Sequence, residues 1–258
     1  MKSLISECCV VLFILAAADG VGPVSFADAL SGHGKNGVSR KQLHEESKPP
    51  ATSTVYLGGD DKEIEIFVPS KKNKSRFESA YDGSGSSEFA LSQLIAHCPS
   101  LVNERNVLEL SSGLGMVSAV ACKYSKPNHV AITDRDKSLL SLAYASCVQL
   151  QRSSASVSRC CMDWNKPSTW PRQEYDMLLA ADVLCDKPSI LPLVDVIKYY
   201  LCEQAKDDTK KQAVIVDPVN QVNRRTFCYA ARRAGLNVDQ KEFPGSPDLI
   251  LMSISPSF

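Results

Sequence analysis

The sequence predicts an α/β fold: a doubly wound sheet of seven strands, mostly parallel, that closes with a C-terminal antiparallel hairpin. Three observations predict it. From residue 106 onward, short apolar runs alternate with stretches carrying apolar residues at helical spacing, the pattern of a parallel sheet with crossover helices. The first run ends in a glycine-bearing turn, Ser111-Ser112-Gly113-Leu114-Gly115, which leads straight into a helical stretch. Acids also stand at or near strand ends (Glu109, Asp134, Asp163, Asp182 and Asp217), along the edge where open α/β sheets bind ligands. One such acid is ordinarily a helix cap or turn former, whereas a row of them points to a site.

The elements follow in order. Strand one, Asn106-Val107-Leu108-Glu109-Leu110, is followed by a helix over 116–124, and Gly113 and Gly115 let the backbone between them turn tightly and admit a ligand closely. Strand two covers 129–133 and ends at Asp134, about twenty residues beyond the turn, the spacing at which a carboxylate reaches ribose hydroxyls. A helix over 137–149 carries Leu139, Leu140, Leu142, Ala143 and Val148 on one face. Strand three covers 157–162, with Asp163-Trp164 after it. Strand four, 175–182, is a continuous apolar run ending at Asp182, as expected of a strand buried on both faces. A helix over 190–201, strand five over 213–216 and a helix over 224–234 come next. These five strands are expected to be joined by helices. The last two, 237–243 and 249–254, leave no room for one and are expected to pair antiparallel.

Residues 1–54 read as a signal-like leader and disordered linker, and 55–258 as the folded domain with a small N-terminal strand/helix extension. The apolar segment 8–18 has the length of a signal-peptide core, ends in small residues at Ala16-Ala17-Ala18 that suit cleavage, and is too short to span a membrane. Such a leader implies the secretory route or an organelle reached through it, and no membrane span after its removal. Alternation over 56–68 suggests a strand or hairpin arm, the basic run Lys71, Lys72, Lys74 and Arg76 a solvated turn, 81–87 a loop, and 89–97 a helix. With 29 basic and 29 acidic side chains, the chain has no formal net charge, which argues against a broad nucleic-acid footprint while leaving room for a local patch. The ten cysteines form no CxxC pair and the four histidines no ligand spacing, so the domain reads as reduced and metal-free. Cys122, Cys147 and Cys228 fall in apolar stretches and read as small buried hydrophobes.

From about residue 81 to the C-terminus, the chain resembles the class I S-adenosylmethionine-dependent methyltransferases, whose first motif is similar to Val107-Leu108-Glu109-Leu110-Ser111-Ser112-Gly113-Leu114-Gly115. Within that class it is similar to the seven-strand protein-lysine methyltransferases, the group that includes calmodulin-lysine methyltransferase. The segments that carry this are Cys161-Met162-Asp163-Trp164, the stretch 176–186, and the run 227–236. The resemblance implies a Rossmann-like sheet, S-adenosylmethionine as cofactor, and methyl transfer to a lysine of a protein substrate. It also implies a monomer, no nucleic-acid partner and, leader aside, a cytoplasmic location. A cofactor-binding paralogue with little activity, or an enzyme acting on a small amine, is the alternative. A dinucleotide-dependent dehydrogenase shares the opening turn and ribose acid but wants GxGxxG, which Gly113-Leu114-Gly115-Met116-Val117-Ser118 does not provide.

By the same resemblance, Gly113 and Gly115 admit the amino-acid moiety of the cofactor, with Glu109 and Ser111 beside them. Asp134 accepts from the ribose hydroxyls, Asp163 takes the adenine amine, and Trp164 packs nearby. Ala181 and Asp182 line the mouth where donor meets acceptor, and Asp182 is the catalytic residue. The chain departs from the pattern at Ser111, where the motif usually begins with glycine, and serine there is expected to keep φ negative. It departs again at Cys185, where an aromatic usually follows the acid by three residues, and at 84–87, where a tryptophan is common.

Overall fold

The computed structural model describes residues 51–57, 62–69, 86–152, 154–204 and 211–257. The signal-like segment, the linker up to residue 50, the basic run at 71–76 and most of the loop at 81–87 lie outside the described residues. A hairpin comes first: β1 (Ala51–Tyr56) pairs antiparallel with β2 (Glu63–Val68), Ala51 opposite Val68 and Tyr56 opposite Glu63. Alternation buries Ile64, Ile66 and Val68 and leaves Glu63 and Glu65 in solvent. β1 takes in residues 51–54, so the first strand begins within the expected linker. Thr52 and Thr54 suit a strand, but the partner that satisfies their backbone lies a dozen residues on.

The remaining elements are α1 (Ser87–His97), β3 (Asn106–Leu110), α2 (Met116–Tyr124), β4 (His129–Asp134), α3 (Lys137–Leu150), β5 (Ser156–Cys161), β6 (Met177–Ala181), α4 (Ile190–Lys198), β7 (Gln212–Pro218), α5 (Arg224–Arg233), β8 (Leu236–Phe243) and β9 (Ser246–Pro256). The sheet runs β5-β4-β3-β6-β7-β9-β8, with the first five strands parallel and β9 antiparallel to both its neighbours. This is the expected seven-strand α/β sheet.

Two connections differ from expectation. β5 and β6 are joined by a single 3₁₀ turn, Pro167–Thr169, rather than a helix. Pro167 and Pro171 remove donors that a helix would need. The segment is tied instead to Asp163, whose carbonyl accepts from Thr169 Oγ1 at 3.2 Å and from Trp170 Nε1 at 3.1 Å. The helix after β6 ends at Lys198 and continues as a π turn, Tyr199–Glu203. That wider turn sets Tyr199 against Trp170 at 5.3 Å and Tyr200 against Tyr175 at 5.5 Å, while Tyr200 Oη donates to Pro171 O at 2.8 Å.

Successive strand residues serve opposite layers. Val107, Met177 and Leu179 face a core built with α1, α2, α3 and the hairpin, while Leu108, Leu110, Leu178 and Ala180 face one built with α4 and α5. An apolar run without polar alternation is thus what a central parallel strand requires. Residues Met116 to Cys122 of α2 are all buried, because sheet, α1, α3 and hairpin surround that helix. Cys122, Cys147 and Cys228 are buried as small apolar residues.

Gly115 makes this packing possible. It holds φ +72° at the start of α2, and a Cβ there would stand 2.6 Å from the Cβ of Ala143 on α3. Gly115→Ala therefore combines left-handed strain with a clash, and we expect a loss of about 2–4 kcal/mol in urea unfolding. Adding Ala143→Gly should recover the steric share of that loss; equal stability of Gly115→Ala and the parent would contradict the assignment.

Candidate active site

β3 lies between β4 and β6, and the crossover after β3 packs on one face of the sheet while that after β6 packs on the other, so a crevice opens at their C-terminal ends. Backbone geometry shapes the turn there. Ser111 adopts φ +56°, not the negative φ expected for serine. The left-handed region costs a non-glycine residue about 1–2 kcal/mol, and surrounding bonds hold it there. Ser112 N donates to Thr133 O at 2.8 Å, Gly113 N to Asp134 Oδ2 at 2.9 Å, and Gly115 N to Ser112 O at 2.7 Å. Gly113 faces open space, since a Cβ placed on it meets nothing within 4 Å. Gly115 has a packing role as well: its missing side chain makes room for α3.

A cavity of about 710 Å³ lies in the crevice, lined by Ser111, Asp134, Met162, Asp163, Trp164 and Asp182 among others. Asp134 is half-buried, with Oδ2 held by Gly113 N and Oδ1 accepting from Asp136 N at 2.8 Å. A carboxylate has about four acceptor positions, so two remain. Asp163 Oδ1 accepts from Asn165 N at 3.0 Å and Oδ2 pairs with Lys166 Nζ at 3.2 Å, which together hold its carboxyl below the usual range. Trp164 is a half-buried wall of the cleft, while Trp170 is buried in the core. His129 is likewise structural, bonded through both ring nitrogens to Ser156 and Ser158 at 2.6 and 2.9 Å.

A second cavity of about 210 Å³ shares Ser111 and Asp182 with the first and is lined also by Glu88, Glu109, Ser112 and Ala181. Glu109 is buried, accepting from Ser118 N at 3.1 Å and from Ser118 Oγ, and burial pushes its carboxyl up to about 8. Glu88, in the first turn of α1, accepts from Met116 N at 3.1 Å and so satisfies one donor at the start of α2. Burial pushes it up to about 7. Sequence reading missed Glu88, because the helix it caps begins 28 residues away.

Asp182 follows β6 at φ +54° and is exposed where the cavities meet. Its loop is held from beneath. Asp182 N donates to Val216 O at 3.0 Å, Val183 N to Asp217 Oδ2 at 3.1 Å, and Asn223 Nδ2 to Leu184 O at 2.8 Å. Asp217, which could pass for a mere strand terminator, thus holds the loop beside it, and its full burial pushes its carboxyl up to about 7. Cys185 is exposed on the same loop, with its thiol pushed up by partial burial and by Asp182.

The sequence profile described as lysine methyltransferase matches residues 82–215, just over half of the chain. The chain belongs to the lysine methyltransferase family. It is an S-adenosylmethionine-dependent methyltransferase. A comparison with curated proteins finds no match. Among solved structures, it is similar to a putative SAM-dependent methyltransferase from Streptococcus mutans (12% identity, 81% of this chain and 56% of that one, TM-score 0.54). It is similar also to SMU.776, a putative methyltransferase complexed with SAH (12%, 81% and 57%, TM-score 0.53), and to an S-adenosylmethionine-dependent methyltransferase from Clostridium acetobutylicum (10%, 72% and 97%, TM-score 0.51). At these identities the likeness is one of fold.

The methyltransferase's cleft fits a donor of this chemistry. It offers open space over Gly113, two remaining acceptor positions on Asp134, an apolar wall at Met162 and Trp164, and a buried Ser112 hydroxyl without a partner. Glu88, Glu109 and Asp217 also make a pH prediction. Each carboxyl is raised in the folded state, to about 7, 8 and 7, so the folded chain binds protons that the unfolded chain has released. Their stabilisation is complete below the unfolded values near 4 and is lost as pH rises through 7 and 8. The melting temperature should fall between pH 5 and pH 8, and Glu109→Gln should flatten that fall. A melting temperature that rises across the range would contradict the assignment.

Proposed function

We propose that the methyltransferase transfers methyl groups to the ε-amine of lysine in a protein substrate, with Asp182 docking the acceptor. One observation carries this reading: an exposed carboxylate stands where the two cavities meet, on a loop anchored by Asp217 and Asn223. The family description supports a lysine acceptor.

S-adenosylmethionine supplies a methyl group already activated by its sulfonium, so the chain has mainly to orient and desolvate. Asp134 would receive the ribose hydroxyls at its remaining acceptor positions, in bonds strengthened by its charge. Asp163 and Trp164 would bound the adenine side, with Gly113 and Ser111 beside the amino-acid end. Ala181 and Asp182 would form the mouth toward the acceptor. A lysine must lose its proton before it attacks, and its unperturbed pKa is about 10.4. Asp182 anchors the ammonium but favours its charged form, so exclusion of water by the bound substrate has to oppose that preference. Cys185, small and uncharged beside Asp182, leaves the acceptor side open.

Two variants test the roles. Asp134→Ala removes a charge-assisted acceptor worth about 1.5–3 kcal/mol, so calorimetry should show S-adenosylhomocysteine binding weakened roughly ten- to hundredfold. Asp182→Asn keeps the shape and loses the charge; donor binding should persist while labelled methyl transfer to lysine-bearing proteins, read by mass spectrometry, collapses. An active Asp182→Asn enzyme would overturn the docking role, and labelling only of small amines would overturn the protein acceptor.

A further inference from the structure

α5 carries Arg224, Arg225, Arg232 and Arg233 within ten residues and no acid at all. In a chain of zero net charge, this is a local concentration of positive charge. Among the described residues, none of the four pairs with a carboxylate. Arg224 Nη1 donates to Val219 O at 2.6 Å and Arg232 Nη2 to Val238 O at 2.9 Å, contacts that fix the side chains without neutralising them. Arg233 lies 5.9 Å from the centre of the Tyr229 ring. Together with Cys228 and Gln240, these side chains line a groove of about 400 Å³.

Apolar exposure concentrates in the same place. Of five large hydrophobic residues exposed among the described residues, Val219 (39%), Val222 (81%) and Tyr229 (65%) fall on the segment that leads into and along α5. Arginine and tyrosine beside apolar groups make the composition of a protein-binding surface. A phosphate backbone asks for spread-out positive charge and gains little from exposed valines.

The start of α5 also abuts the loop that carries Asp182. Asn223, the residue before α5, bonds to Leu184 O at 2.8 Å and Cys185 O at 3.3 Å on the Asp182 loop. Buried Asp217 interacts electrostatically with both Asp182 and Arg224. Acids at the mouth thus give way to arginines along the helix. A ligand matching both has a cation at the mouth and anions beyond it. α5 is about 15 Å long, which spans four or five residues of extended peptide.

We propose that the arginine face of α5 docks an acidic segment of the substrate protein, lying beside the lysine that enters at Asp182. This rests on the lysine-acceptor reading, and the test separates the two. A fluorescent peptide with lysine followed by five glutamates is titrated into the full chain without donor, and anisotropy reports binding. We expect saturable binding that weakens with salt, falls about tenfold in Arg225→Glu/Arg233→Glu, falls also in Tyr229→Ala, and is absent when glutamine replaces glutamate. Both variants change exposed side chains and should melt as the parent does. Equal affinity of parent and charge-reversed chain would overturn the proposal, as would tighter binding of an oligothymidylate of equal charge. Donor is then added: an acidic peptide that binds as expected but is never methylated would overturn the lysine acceptor and leave the docking face standing.

Discussion

The 2.9 Å bond from Gly113 N to Asp134 Oδ2 joins the turn after β3 to the end of β4, and the shape of the donor side of the cleft depends on it. It is seconded by Ser112 N to Thr133 O and by Thr133 Oγ1 to Glu109 O, so two neighbouring strand ends are fixed as one unit. A left-handed serine at 111 is tolerated because this unit determines its backbone from both sides. Gly113 N and Asp136 N take up two of the acceptor positions of Asp134, whose carboxylate stands in the lining of the crevice.

The opposite lip is built by other means. Asp182 leaves β6 in a left-handed conformation, and backbone and side-chain bonds from β7 and the start of α5 hold the loop that follows. Asp217 is buried for this purpose, with one oxygen used and the other unpartnered, a cost the fold carries to keep an exposed carboxylate in place. Glu88 and Glu109 act alike on the small cavity, where they support the start of α2. The site thus has exposed Asp182 at its lip, half-buried Asp134 and Asp163 along the larger cavity, and buried Glu109 and Asp217 beneath.

The parts of this arrangement readable in sequence are those with local causes. Strands β3, β4, β6 and β7 declare themselves as apolar runs because both of their faces are buried, and Asp134 is marked by its distance from the glycine turn. The hairpin β8–β9 follows from the short connection between its strands. What sequence reading missed depends on distant partners. Gly115 is required by Ala143 on another helix, Asp217 by the loop at 183, Glu88 by the first turn of α2 and Asn223 by the carbonyls at 184 and 185. The helix expected between β5 and β6 fails for a local reason, the prolines at 167 and 171, which the strand–helix rhythm had overridden. The π turn after α4 is set by aromatic packing against the connection between β5 and β6 and leaves no mark in the helical spacing.

On the reading proposed above, the methyl donor binds in the crevice between β3 and β6, held by the turn after β3, the end of β4 and the Asp182 loop. Hydrogen–deuterium exchange of the full chain, with and without S-adenosylhomocysteine, tests this directly. Slower exchange is expected at the amides of 111–115, 134–136 and 182–185, with β8 and the outer face of α5 unchanged. Protection confined to other parts of the chain, or the same pattern produced by NAD and not by S-adenosylhomocysteine, would contradict it.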